Sequence, residues 1–351
     1  MQKEKKQRKV EDYGDCGKDG LMPLEPLDLS RIKSIDELVR AMGKTSFNAR
    51  RVGEAADILE AMAKDKGCLR VLTLSGAMTI AKMSLVICDM IDNDMVDVVI
   101  STGALMGHGL IEAAGFSHYK SEEEADDEKL YKKGYNRVYD TIEPETNFGK
   151  MTEVNHKVFS GLDEKEAHCS HSLCEALGKH LAENYKGRGV LKSAYEKKVP
   201  VFIPAFTDSE LAFDFRIYNA MREKEGKSAL KFEPFLDFDK YAEMVKESKK
   251  MGIFTIGGGV PRNWAQQACP YWDVYDEHME TESGLHRFDY AVRICPESEH
   301  WGGLSGCTYS EGVSWGKITP HAEGGMHTEV RADATTVWPM IVKAVLERLE
   351  K

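Results

Sequence analysis

Two stretches decide the fold: Arg70-Val-Leu-Thr-Leu-Ser-Gly76 and Val96-Asp-Val-Val-Ile-Ser-Thr-Gly103. Each is a short apolar run that stops at small or hydroxylated residues. Such runs read as buried strands. Helical periodicity follows each of them, over 77–91 after the first and beyond Gly103 after the second. Strand, small-residue turn and helix in repetition is the pattern of a parallel sheet with crossover helices. The unit recurs downstream. Val199–Ile203 runs into Pro204-Ala-Phe-Thr-Asp208, and Gly252–Ile256 runs into Gly257-Gly258-Gly259. Tyr290–Ile294 and Thr328–Arg331 supply further strands. The predicted fold class is α/β, a parallel sheet flanked by helices.

Outward from this core, residues 31–65 repeat apolar side chains at helical spacing (Ile32, Ile35, Leu38, Val39 and Met42, then Val52, Ala55, Ile58, Leu59 and Met62). They predict a helical N-terminal extension. Residues 1–30 read as an N-terminal arm and 31–351 as one domain. Trp338 to Leu349 reads as a closing amphipathic helix. The segment 121–190 is predicted to be mostly helical, with the acidic run Glu122 to Glu128 as a solvated face.

Composition bounds the function. Of 351 residues, 47 are Lys or Arg and 58 are Asp or Glu, a formal net charge of −11. That argues against a broad nucleic-acid-binding surface and is compatible with cationic ligands. No apolar run approaches the roughly 20 residues of a membrane helix. The basic start, MQKEKKQRK, lacks the apolar segment of a secretory signal. Eight cysteines without a CxxC pair read as reduced thiols in a cytoplasmic protein. His168, Cys169, His171 and Cys174 are metal-binding types, but their spacing fits no standard zinc pattern. Residues 165–184 read as one helix, so the expectation there is packing, with no metal.

Ligands of open parallel sheets bind beyond the carboxyl ends of the strands. Here those ends are Ser75-Gly76, Ser101-Thr102-Gly103, Thr207-Asp208 and Gly257-Gly258-Gly259. Small residues admit close backbone approach, and helix N-termini suit phosphates. A nucleotide fits this pattern, although no GxGxxG occurs and tight strand-to-helix turns would look the same. The segment Ser305 to Ile318 is more specific. It sets Glu311, Trp315 and Lys317 in a Gly/Ser-rich stretch between two strands. A buried lysine loses proton affinity, and its neutral amine attacks imines and carbonyls. A tryptophan offers its face to an organic cation, and a glutamate offers a counter-charge. A surface loop with an incidental lysine is the plain alternative.

The stretch Glu311-Gly-Val-Ser-Trp-Gly-Lys-Ile318 resembles the EAVSWGKI motif of deoxyhypusine synthases. MVDVVISTGA (95–104), PETNFGKM (144–151), VPVFIPAFTD (199–208), GIFTIGGG (252–259) and VRADATTVWP (330–339) follow in family order, so the resemblance covers roughly 30–345. It implies a Rossmann-like subunit of an NAD-dependent homotetramer with active sites shared between subunits. The implied activity moves an aminobutyl group from a polyamine such as spermidine to an acceptor. By this resemblance Lys317 carries the covalent imine, and Glu311 and Trp315 line the polyamine site. Asp214, Asn263 and His108 stand on the substrate side. Ser75, Gly76, Ala77, Met78 and Thr79 match the first cofactor turn, and Ser101, Thr102 and Gly103 match the second. Asp208, Gly258, Asp333 and Ala334 complete the NAD contacts.

The departures from the family pattern are local. Asn263 stands where a family histidine assists dehydrogenation, Trp301 and Leu304 stand for polyamine-holding aspartates, and Gly107-His108 stands for a Glu-Glu pair. His108 or Glu311 could supply the missing base. Three functional readings follow: transfer to a protein lysine, transfer to a small diamine such as putrescine or agmatine, and an inactive scaffold that binds NAD or polyamine. No nucleic acid or membrane partner is expected.

Overall fold

The computed structural model describes residues 9–10, 13–122 and 124–350. The polar segment 1–8, and residues 11–12, 123 and 351, lie outside the described residues. Six parallel strands form the central sheet: β1 (Cys68–Leu74), β2 (Val98–Ile100), β3 (Val201–Phe202), β4 (Lys250–Ile256), β5 (Phe288–Ile294) and β6 (Met326–Val330). Their spatial order is β3-β2-β1-β4-β5-β6. This is the doubly wound order in which the chain reverses direction between β1 and β4, opening a crevice at their carboxyl ends.

Alternation along the strands splits the core into two layers. Leu72, Leu74, Val99, Phe254 and Ile256 face one layer, whereas Val71, Val98, Ile100 and Ile253 face the other. Both faces are apolar because helices cover both. The helices used below are α1 (Ile35–Gly43), α2 (Phe47–Lys64), α3 (Ser84–Asp92), α4 (Gly103–Ala113), α5 (Glu145–Phe159), α6 (Ser170–Asn184), α7 (Val190–Lys197), α8 (Glu210–Lys224), α9 (Phe235–Glu247), α10 (Gly259–Met279), α11 (Tyr309–Ser314) and α12 (Ala334–Leu349). No described helix is long and apolar enough to cross a membrane.

The N-terminal helices are tied to the C-terminal one by a charge cluster centred on the buried pair Arg348 and Asp36. Arg348 on α12, 1% exposed, reaches Asp36 at 2.6 Å, Asp57 at 2.8 Å and Glu60 at 3.0 Å. Removing one partner of a buried ion pair strands the other charge and costs about 3–5 kcal/mol. Arg348→Met should therefore lower stability by about 3 kcal/mol in urea unfolding. An unchanged midpoint would contradict this role.

Several predicted elements need correction. The helix expected over 77–91 begins only at Ser84. Residues 77–83 instead form a looped turn with Lys82 at φ +65°, pinned by the Thr79 hydroxyl donating to Leu105 O at 2.8 Å. The strands expected at Val96–Ile100 and Val199–Ile203 shorten to Val98–Ile100 and Val201–Phe202. The segment after 118 is not mainly helical at its start. Tyr119–Lys120, Tyr135–Val138 and Thr141–Pro144 make a small antiparallel sheet. Tyr135–Val138 is exposed throughout, so no apolar alternation announced it. The predicted helix over 165–184 begins at Ser170, and Ala167–His168 pairs in parallel with Lys231–Phe232.

Candidate active site

The crevice is built where turns from neighbouring strands interlock. After β1, the Ser75 hydroxyl donates to Ile256 O at 3.1 Å and accepts from the Gly258 N–H at 3.0 Å. Gly257 has φ +82°, and a Cβ there would lie 2.1 Å from Ser75 Oγ. A Cβ on Gly258 would lie 2.7 Å from Ser305 Cα. The glycines thus let three chain segments meet at the switch point. After β2, Thr102 caps α4 by accepting from the Leu105 N–H at 3.3 Å. A Cβ on Gly103 would lie 2.3 Å from Ser209 Cβ, so the β2 and β3 turns also touch. Asp208 is exposed beside this contact. Asp333 caps α12 and accepts from the Thr335 hydroxyl, with Ala334 buried next to it.

The lysine segment is fixed by two arginines that the sequence did not single out. Arg262, buried in the first turn of α10, donates to Cys307 O at 2.5 Å and Leu304 O at 2.7 Å. Arg293 on β5, fully buried, donates to Ser305 O and pairs with Glu329 at 2.7 Å. Glu329 also accepts from the Tyr309 N–H at 2.6 Å, and the Tyr309 hydroxyl donates to Val292 O at 3.1 Å. Nothing at sequence level marks these residues, because their partners are main-chain carbonyls of a loop.

α11 is then set by a reciprocal cap in which Glu311 accepts from Thr308 and the Thr308 hydroxyl accepts from the Glu311 N–H at 3.1 Å. Gly316, at φ +67°, turns the chain so that the Lys317 N–H donates to Gly312 O and Ile318 bridges Phe288. Lys317 is half-buried, and its Nζ lies 5.6 Å from the centre of the Trp315 ring. Burial pushes its pKa down, and the charge of Arg262 adds to that shift. Trp315 is 70% exposed and Glu311 is exposed, so the lysine sits at the base of an open aromatic ledge.

The other predicted residues fall in different surroundings. Asn263 is half-buried on α10. Its neighbour Trp264 packs against Tyr241 at 5.1 Å and Phe202 at 5.7 Å in the core. Asp214 accepts from Thr152 at 2.8 Å and from Asn155 at 2.7 Å, so both its oxygens are taken by α5. His108 is on α4, next to Glu143. Glu210, which sequence reasoning passed over, has a buried Oε2 with no hydrogen-bond partner among the described residues. That oxygen lies 3.8 Å from where a Cβ of Gly107 would stand.

The HCSHSLC knot does not converge. His168 Nε2 contacts Asp163 O, while His171 Nε2 faces Lys240 Nζ at 2.6 Å. Burial and that ammonium push His171 down to about 4. Burial raises the Cys169 thiol to about 11 and the Cys174 thiol further. Among the described residues, the His/Cys/Asp/Glu group with metal-like spacing is His108, His118 and Glu143, its ligand atoms within 4.8 Å of one another.

Fold and site together define a class: a doubly wound α/β protein of dinucleotide-binding topology, carrying a lysine of lowered proton affinity on an aromatic ledge. The sequence model for deoxyhypusine synthase matches residues 37–345. The chain is 35% identical over 328 residues to probable deoxyhypusine synthase 2 of Methanosarcina acetivorans, covering 93% of this chain and 90% of that one. It is 32% identical over 324 residues to a deoxyhypusine synthase-like protein of Chlorobaculum parvum, covering 91% and 88%. A solved structure carrying the deoxyhypusine synthase name, from Entamoeba histolytica, shares the fold with TM-score 0.60 at 15% identity, covering 92% of this chain and 97% of that one. The chain belongs to the deoxyhypusine synthase family.

Proposed function

We propose that this chain is a cytoplasmic, NAD-dependent aminobutyl transferase that passes the group between amines through an imine on Lys317. The observation that carries this reading is the half-buried Lys317 beside Trp315, with its proton affinity lowered by burial. A neutral amine attacks a substrate imine, and the resulting covalent carrier divides one hard displacement into two easier exchanges. NAD, when bound, supplies the redox chemistry that makes the substrate carbon electrophilic and restores it afterwards. The turns at Ser75 to Thr79, Ser101 to Gly103, Asp208, Gly258 and Asp333-Ala334 would hold it. Their tight glycine approaches and the capped start of α4 suit a dinucleotide.

Trp315 would bear the cationic substrate on its face, and Glu311 would balance an ammonium. The exposure of both in a single chain fits a site completed by a second subunit, with a homotetramer as the proposed assembly. A buried carboxylate oxygen without a partner is costly unless a cation meets it. Glu210 therefore reads as a seat for a substrate ammonium. Glu210→Gln is expected to raise KM for the amine about tenfold while kcat falls little. An equal fall in kcat with unchanged KM would contradict that seat.

A small diamine is the favoured acceptor over a protein lysine. The observation behind this preference is that Trp301 and Leu304 occupy the positions of the family's polyamine-holding aspartates and are exposed. Product analysis with NAD and spermidine tests the reading. Putrescine or agmatine as sole acceptor is expected to yield a new polyamine, whereas a lysine-bearing translation factor is expected to remain unmodified. Absence of turnover with every amine would leave only a binding scaffold.

A further inference from the structure

The family histidine that assists dehydrogenation is replaced here by Asn263, yet a chain of titratable groups, buried at His118 and Glu143, runs from the exposed Lys82 to His108 on α4. Glu112 on α4 pairs with Lys82 at 3.1 Å. Lys82 Nζ lies 2.9 Å from His118 Nδ1. His118 Nε2 meets Glu143 Oε2 with both side chains buried, and the same oxygen faces His108 Nδ1 at 3.2 Å. Glu143 Oε1 accepts from Asn147 at 2.7 Å. Burial by itself would raise the Glu143 pKa, but hydrogen bonds from His108 and Asn147 and the close contact with His118 bring it down to about 2.

The donors and acceptors assign the protons. An ammonium only donates, so Lys82 makes His118 Nδ1 an acceptor and leaves the His118 proton on Nε2, the nitrogen that lies beside the carboxylate. The same inventory weighs against a metal on the triad. A cation on His118 Nε2 would require Nδ1 to carry a proton pointed at the lysine. Glu143, ionised, accepts a proton from His108 Nδ1. The remaining His108 Nε2 has a lone pair and no hydrogen-bond partner among the described residues. His108 stands five residues into α4, about 7 Å along the axis from the turn after β2. Lys82 itself belongs to the looped turn 77–83 after β1, so the network ties that turn to α4.

We infer that His108 is the base of the transfer reaction, with Glu143, His118 and Lys82 as positioning residues that fix its tautomer. This deepens the aminobutyl-transfer reading and rests on it. His108 Nε2 takes the proton from the substrate's nitrogen as the adjacent carbon gives up a hydride. The C–H and N–H bonds break and a C=N bond forms; bound NAD would accept the hydride with its electron pair, and the proton stays on the imidazole. The step reverses when the new amine is reduced. The groups facing His108 are Glu143 and His118 across the hairpin, Lys82 and Glu112 behind them, and Glu210 by Gly107. Of these, the carboxylate of Glu143 is within hydrogen-bond distance, and the Phe148 ring packs edge-on against the imidazole.

Two measurements test this. Nitrogen NMR of ring-labelled histidine in the full chain should show His108 protonated at Nδ1 and bare at Nε2, a state lost in Glu143→Gln. A His108 proton on Nε2, or a stoichiometric transition metal bound to the triad, would overturn the assignment. Borohydride trapping of the Lys317 adduct in the presence of NAD and spermidine gives the second readout. His108→Asn and His108→Gln should form adduct about a hundredfold more slowly at neutral pH, with partial rescue by added imidazole. Adduct in the wild type with unaltered rates in both His108 variants overturns the base alone. No adduct in the wild type overturns the transfer reading and the base with it.

Discussion

Lys317→Ala is expected to abolish transfer, lowering turnover roughly ten-thousandfold or more, while the protein folds and binds NAD as before. Lys317→Arg should be equally inactive. The guanidinium stays protonated at any usable pH and offers no lone pair. The surroundings of the side chain set this outcome. Burial lowers its proton affinity, and the neighbouring Arg262 charge works in the same direction. A lowered lysine pKa means that the neutral, attacking form becomes abundant at a lower pH than for a lysine in water, whose pKa is about 10.4. The adduct-forming rate should therefore rise with pH and level off below that value. Arg262→Gln removes one of the two influences that lower it and also frees the 304–307 loop, so it should move the plateau to higher pH and slow the reaction. A Lys317→Ala variant that still turns over would show that the amine is incidental.

Gly257→Val is expected to weaken dinucleotide binding about thirty- to hundredfold, or 2–3 kcal/mol at 1.4 kcal/mol per factor of ten. Two costs combine. The φ of +82° is one that β-branched residues avoid, at about 1–3 kcal/mol. The new Cβ would also overlap Ser75 Oγ, at 2.1 Å, and drive apart the turns after β1 and β4. Ser75 would then lose its bonds to Ile256 O and the Gly258 N–H. Calorimetric titration with NAD reads the loss. Gly226→Val is the control, since its φ of +77° is similar but no atom lies within 4 Å of its Cβ position. It should lower stability and leave binding intact. Wild-type affinity in Gly257→Val would move the cofactor away from the switch point.

The sheet was legible because its strands are buried on both faces and therefore read as uninterrupted apolar runs. Val71, Leu72, Val99 and Ile253 are apolar whichever side they face. The turn residues were legible for the complementary reason that nothing larger fits where Gly103 meets Ser209 or Gly257 meets Ser75. Lys317 and Trp315 stood out as chemistry-bearing side chains among small ones. What stayed hidden depends on contacts distant in sequence. Arg262 and Arg293 look like ordinary charges until the 304–307 carbonyls fold over them. Glu143 lies in an exposed-looking hairpin whose strand Tyr135–Val138 carries no apolar alternation. Its link to His108 and His118 spans 35 and 25 residues, and no spacing rule covers that distance. The 77–91 segment was misread because its composition is helical while the Thr79 anchor and the left-handed Lys82 hold its first half open.

The most direct test of the central claim is peptide mass spectrometry after borohydride reduction of the wild-type protein incubated with NAD and spermidine. A single aminobutyl adduct on the peptide containing Lys317, dependent on NAD and absent from Lys317→Arg, is the predicted result. An unmodified Lys317 alongside measurable amine transfer would contradict the covalent route.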